Sequence, residues 1–123
     1  MAQMITWIRV ADVAQAKAFY MAGLGARLVL EQGDCCILGY GDAAFLGLCT
    51  RPPPRETPGL LLCFVEDDVD ARVAALVAAG ATLEKAPADN PTYRIYHAFL
   101  RDPDGHHLEV QRFWDAEWSQ PPT

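Results

Sequence analysis

A weak internal repeat constrains this chain more than any other feature. Met4 to Val10 reads as a strand, and Asp12 is placed to cap a helix running through Ala16, Phe19 and Tyr20 to Gly23 or Gly25. Leu60 to Val65 reads as a second such strand. Asp67 or Asp68 can cap a second helix, with Val69, Val73, Leu76 and Val77 on one face and Gly80 at its end. Their i, i+4, i+7, i+8 spacing is that of an amphipathic helix. Each helix leads into a similar segment, Gly25-Ala26-Arg27-Leu28 and later Gly80-Ala81-Thr82-Leu83. Further strand-like runs close each half. In the first they are Cys35 to Tyr40 and Ala43 to Cys49, joined around Gly41-Asp42. In the second they are Tyr93 to Arg101 and His106 to Phe113, joined by Asp102-Pro103-Asp104-Gly105. Asp, Pro and Gly in those places predict a type I turn.

Strand–helix–three strands written twice predicts an α+β fold: two βαβββ modules forming curved mixed sheets around a pocket. Module 1 takes about 1–50 and module 2 about 59–113, with a proline-rich linker at 51–58 and a tail at 114–123. A length of 123 residues suits one compact domain, and 51% hydrophobic residues suffice for a core. The net charge of −6 comes from scattered acids, which argues against nucleic acid as a partner. No window is long and apolar enough for a membrane span, and no signal peptide is evident. A soluble cytoplasmic protein is expected. Cys35, Cys36, Cys49 and Cys63 lack the paired spacing of a zinc site and lie in apolar runs. They read as reduced thiols used as small core residues.

Several motifs resemble those of the vicinal oxygen chelate superfamily, which includes glyoxalase I, extradiol dioxygenases, fosfomycin resistance enzymes and bleomycin-binding proteins. In the first half they are Arg9-Val10-Ala11-Asp12, Ala18-Phe19-Tyr20 and Gly23-Leu24-Gly25. In the second they are Val65-Glu66-Asp67-Asp68-Val69-Asp70, Gly80-Ala81 and Phe99 through Glu109. In metal-using members, one ligand comes from the first strand and one from the last strand of each module. The resemblance carries those stations onto Ile5, Gly47, Leu60 and Glu109. Only Glu109 has a donor side chain, and divalent metals need three or four such ligands. The resemblance therefore implies a scaffold without its usual metal site. An alternative divalent site would use His97, His107 and Glu109.

Strand alternation then predicts the pocket lining. Ile5, Trp7 and Arg9 share a face; so do Phe45, Gly47 and Cys49; so do Leu60, Leu62 and Phe64. Glu109 carries His107 and Gln111 with it. The resemblance turns Phe99 inward, so His97 and Ile95 follow by parity. The predicted ligand-binding residues are Trp7, Arg9, Phe45, Leu60, Leu62, Phe64, Phe99, His107 and Gln111, with Glu109 and His97 as candidate catalytic groups. His106 is expected at the surface. Trp114 and Trp118 are read as a lid, as contacts to another subunit, or as packing on their own subunit. This lining fits a protein that binds a small hydrophobic or aromatic organic ligand without metal. The alternatives are a lyase or isomerase using Glu109 and His97 for proton transfer, or a partner-binding module with a degenerate pocket. The resemblance also implies a homodimer.

Overall fold

In the computed structural model, which describes residues 2–51, 59–115 and 118, both halves fold as strand, helix and three strands. Module 1 consists of β1 (Thr6–Arg9), α1 (Val13–Leu24), β2 (Arg27–Glu31), β3 (Cys35–Tyr40) and β4 (Ala44–Cys49). Module 2 consists of β5 (Leu62–Val65), α2 (Val69–Ala79), β6 (Thr82–Asn90), β7 (Ile95–Arg101) and β8 (His107–Phe113). The sheets run β1-β4-β3-β2 and β5-β8-β7-β6. In each, the first strand lies parallel to the last and the other neighbours are antiparallel, so both sheets are mixed. The linker at 52–58 and most of the tail lie outside the described residues.

Both helices start where short polar side chains satisfy the free N–H groups of the first turn. Asp12 accepts from the Gln15 amide and Asp68 from the Ala71 amide. Gly25 ends α1 with φ at 70°, a left-handed value that a Cβ would strain. One face of each sheet carries the apolar residues that the helices cover. Ile8, Cys36, Leu38, Leu46 and Leu48 do this in module 1, and Phe64, Ala98, Leu100, Leu108 and Val110 in module 2. The main contact between modules is α1 on α2. Gly23 makes their close approach possible, because a Cβ there would come within 2.9 Å of Leu76.

Hydrogen bonds tie the modules together in both directions. The β7–β8 turn closes with Gly105 N–H donating to the Asp102 carbonyl, as a type I turn requires. From that turn, Asp104 accepts from the Ala11 amide, and His106 Nε2 lies 2.7 Å from the Arg9 carbonyl oxygen. Asp102 also accepts from the buried Tyr20 hydroxyl at 2.5 Å. Burial, and then the charge of Asp102, push the Tyr20 hydroxyl well above its usual range. In the other direction, the Tyr40 hydroxyl donates to Glu66, which also holds Arg72. His106 is therefore not a surface residue. It is buried at 5% exposure because the turn folds it under β1, a cross-module contact that strand parity alone does not reveal.

The cysteine reading needs a correction as well. Cys35 and Cys49 form a disulfide, while Cys36 and Cys63 are free. The two half-cystines stand directly opposite each other on β3 and β4, with Cα atoms 4.4 Å apart. Their separation of 14 residues along the chain concealed that pairing.

Candidate functional site: two open sheet faces

The face of each sheet turned away from the helices is concave and holds most of the predicted site. On module 1 it carries Trp7 and Arg9 from β1, Phe45, Gly47 and Cys49 from β4, and Ile37 from β3, as register and alternation dictate. The Trp7 indole lies across Gly47, and any Cβ at position 47 would run into the ring. The station that the resemblance assigns to a metal ligand is thus filled by an aromatic surface. That surface is open, since Trp7 remains 41% exposed.

On module 2 the same face carries Glu109 and Gln111 from β8 and His97 and Phe99 from β7. His97 Nδ1 lies 2.6 Å from a Glu109 carboxylate oxygen, and both residues are buried at 8% exposure. Phe99 packs edge-on against the His97 ring, with centroids 5.0 Å apart. Burying a charge is costly unless it is paired and hydrogen-bonded, so this dyad is how the sheet tolerates Glu109. Cys63, opposite Glu109 on β5, joins it. Partial burial, then the charge of Glu109 and a hydrogen bond to it, push the Cys63 thiol up to about 12, against an opposing pull from Gln111. His107 sits on the same face but at its rim, exposed, with Glu84 at 4.0 Å.

Register also moves part of the predicted lining. Leu62 and Phe64 stand opposite Leu108 and Val110, on the helix side, whereas Cys63 stands opposite Glu109. The predicted parity of β5 was one residue out. The hydrogen bonds of the repeat show why: Val10 N–H donates to the Cys49 carbonyl, and its counterpart donating to Gln111 is Glu66, not Val65. The partner of Ile5 in the repeat is therefore Leu61, and Leu60 leaves the concave face. Leu62 and Phe64 instead border an apolar cleft of about 410 Å³ at the seam between modules, together with Phe45, Leu61, Cys63 and Tyr40. Cys63 was missed for the same reason.

Of the four stations, only Glu109 carries a donor side chain. Ile5, Gly47 and Leu61 offer no donor atom beside Glu109. Among the described residues, no group of three or more His, Cys, Asp and Glu side chains comes together to hold an ion. His97 and Glu109 meet each other, while His107 turns to Glu84.

The described tail residues Trp114 and Trp118 contact module 2. Trp114 Nε1–H donates to Asp89 and Arg112 stacks over the indole, while Trp118 stacks on Phe113 at 4.4 Å. No helix among the described residues is long and apolar enough to cross a membrane.

Comparison with known proteins agrees with this architecture. The family model described as Glyoxalase/Bleomycin resistance protein/Dioxygenase superfamily matches residues 2–110. No curated protein matches the chain. Among solved structures, a glyoxalase/bleomycin resistance protein/dioxygenase family enzyme from Burkholderia phytofirmans PsJN is 25% identical with a TM-score of 0.78, covering 90% of this chain and 98% of that one. A glyoxalase/bleomycin resistance protein from Albidiferax ferrireducens T118 is 27% identical with a TM-score of 0.75, covering 88% and 95%. TnmS3, an antibiotic binding protein from Streptomyces sp. CB03234, is 26% identical with a TM-score of 0.73, covering 91% and 95%. The chain belongs to the glyoxalase/bleomycin resistance protein/dioxygenase superfamily.

Proposed function

We propose that this protein binds a small hydrophobic or aromatic organic molecule on its concave sheet faces, without a metal. The observation that carries this reading is the Trp7 indole lying over Gly47, where a metal-using relative would need a ligand. A flat, exposed aromatic surface favours apolar and planar partners. The likeness to TnmS3, an antibiotic binding protein, supports the same class of ligand. Among the described residues, Trp7 at 41% and Val65 at 38% stay exposed on the two concave faces. A second copy that brings a module 2 face over a module 1 face would enclose the ligand, so the binding unit is a homodimer.

A thermal-shift screen of chelator-treated protein against planar aromatic compounds and aromatic antibiotics tests this reading. A true ligand at a hundredfold excess over its dissociation constant should add about 2.7 kcal/mol of stability. Silence across such a library would sink the proposal.

The His97–Glu109 contact favours one second reading, a lyase or isomerase in which this dyad moves a proton. Turnover abolished by Glu109→Gln, with ligand affinity kept, would establish it.

A further inference from the structure

We propose that Cys35 and Cys49 form a reversible dithiol–disulfide site that exchanges with small disulfides of the glutathione class, and that its oxidation tightens the module 1 concave face around its ligand. The second half of this inference rests on the reading that the concave faces bind a small molecule.

The sheet itself brings the two sulfurs together. The Cys35 carbonyl accepts from the Gln32 amide on one side, and the Cys49 carbonyl accepts from the Val10 amide on the other. The two carbonyls thus point away from each other, which makes Cys35 and Cys49 a non-hydrogen-bonded pair of the β3–β4 ladder. Such pairs bring Cα atoms to about 4.5 Å, against about 5.5 Å for the hydrogen-bonded kind. The 4.4 Å found here is therefore ordinary ladder spacing. The backbone has no need to move when the bond is made or broken.

Module 2 supplies a control. Gln111 is the counterpart of Cys49, because its carbonyl accepts from the Glu66 amide as that of Cys49 accepts from Val10. Gln111 stands opposite His97 on β7. The same close pair is filled there without a crosslink, so the βαβββ fold does not require one. The crosslink also joins strands that already pair from Cys35–Cys49 to Tyr40–Ala44.

Position decides which thiols take part. Cys35 and Cys49 are partly exposed on the concave face, within reach of a disulfide in solution. Cys36 adjoins Cys35 in sequence but points to the helix side and is fully buried. Cys63 lies on module 2, where burial and Glu109 keep its thiol protonated and unreactive. In the exchange, one cysteine thiolate attacks a sulfur of the small disulfide and expels one thiolate. The second cysteine attacks the protein sulfur of that mixed disulfide and expels the other. The protein S–S bond forms, the small S–S bond breaks, and the two cysteine protons end on the two released thiols.

The pair also borders the ligand surface. Cys49 lies two residues from Gly47 on one face of β4, and Arg9 beside it on β1 shares that face with Trp7. Two free thiols take up more of this floor than a joined pair, because unbonded sulfurs keep van der Waals distance. Joining them clears the floor and pins β4 beneath Trp7, which lowers the ordering cost of binding.

The test equilibrates the full chain in glutathione buffers of stepped redox ratio, traps it with N-ethylmaleimide and maps the peptides by mass spectrometry. Cys35 and Cys49 should convert together and reversibly between two alkylated thiols and one crosslink, with Cys36 and Cys63 outside any bond. Calorimetry with 2-naphthoate and its neutral amide should give an affinity about fivefold or more higher for the oxidised form, the size of an ordinary coupling. Saturating ligand should in turn shift the midpoint of the glutathione series toward the disulfide by the same factor, as linkage requires. Cys35→Ser combined with Cys49→Ser should bind with the reduced form's affinity under both conditions. A pair that stays oxidised, or stays reduced, across the whole series would overturn the redox site. Equal affinity of the two states would overturn its control of the ligand face and leave small-molecule binding standing. No binding of either compound in either state would overturn that control and small-molecule binding together.

Discussion

Replacing His97 with leucine should cost the folded protein about 1–3 kcal/mol or more, the typical penalty for leaving a buried hydrogen-bonding group without its partner. His97 Nδ1 and the Glu109 carboxylate are 2.6 Å apart, and each residue is only 8% exposed. Without the imidazole, the carboxylate would keep the Cys63 thiol as a weak partner and face Phe99 on the neighbouring strand. The double replacement His97→Leu with Glu109→Leu should recover most of the loss, because it removes the stranded charge with its partner. Urea unfolding of the wild type, both single variants and the double variant gives the coupling directly. A single-variant loss under about 1 kcal/mol would mean that the pair is screened as a surface pair is, and that the dyad is not the anchor of this face.

Gly47→Val should weaken binding of a planar aromatic ligand by about tenfold or more, the usual effect of losing an anchoring aromatic contact. The Trp7 ring rests on the bare backbone of Gly47, so a branched side chain there must lift the indole off the sheet. Stability should fall much less, because Trp7 is already 41% exposed and has little burial to lose. Tryptophan emission of the free protein should shift as the ring moves, and calorimetry with 2-naphthoate should show the loss of affinity. Unchanged affinity in a variant whose indole has moved would remove Trp7 from the site.

The fold could be read from the sequence because its signals are local and occur twice. Asp12 and Asp68 cap helices, Gly25 and Gly80 end them, and Asp102 to Gly105 makes the expected turn. Most of the concave face was legible too, since alternation fixes the orientation of a whole strand once one residue is known. That placed Trp7, Arg9, Phe45, Phe99, His107, Glu109 and Gln111 on it. The same logic misplaced Leu60, Leu62 and Phe64, because a parity error of one residue turns an entire strand over. The run Leu60-Leu61-Leu62-Cys63-Phe64-Val65 is apolar on both faces and contains no internal marker of register. What remained hidden depends on contacts distant in sequence. His106 under β1, Tyr20 on Asp102 and Cys35 on Cys49 involve residues 97, 82 and 14 positions apart. The unpartnered Arg9 Nε belongs with them, for only the folded chain shows that nothing reaches it.

In the proposed function, Trp7 over Gly47 takes the place of a metal centre as a wall that binds its ligand unaided. The most direct test titrates 2-naphthoate into chelator-treated protein and repeats the titration after adding stoichiometric zinc, nickel, manganese or iron(II). The dissociation constant should be the same in every case, with no retained metal by elemental analysis after desalting. Binding found only with a metal present, together with stoichiometric metal that Glu109→Gln abolishes, would contradict the proposed function.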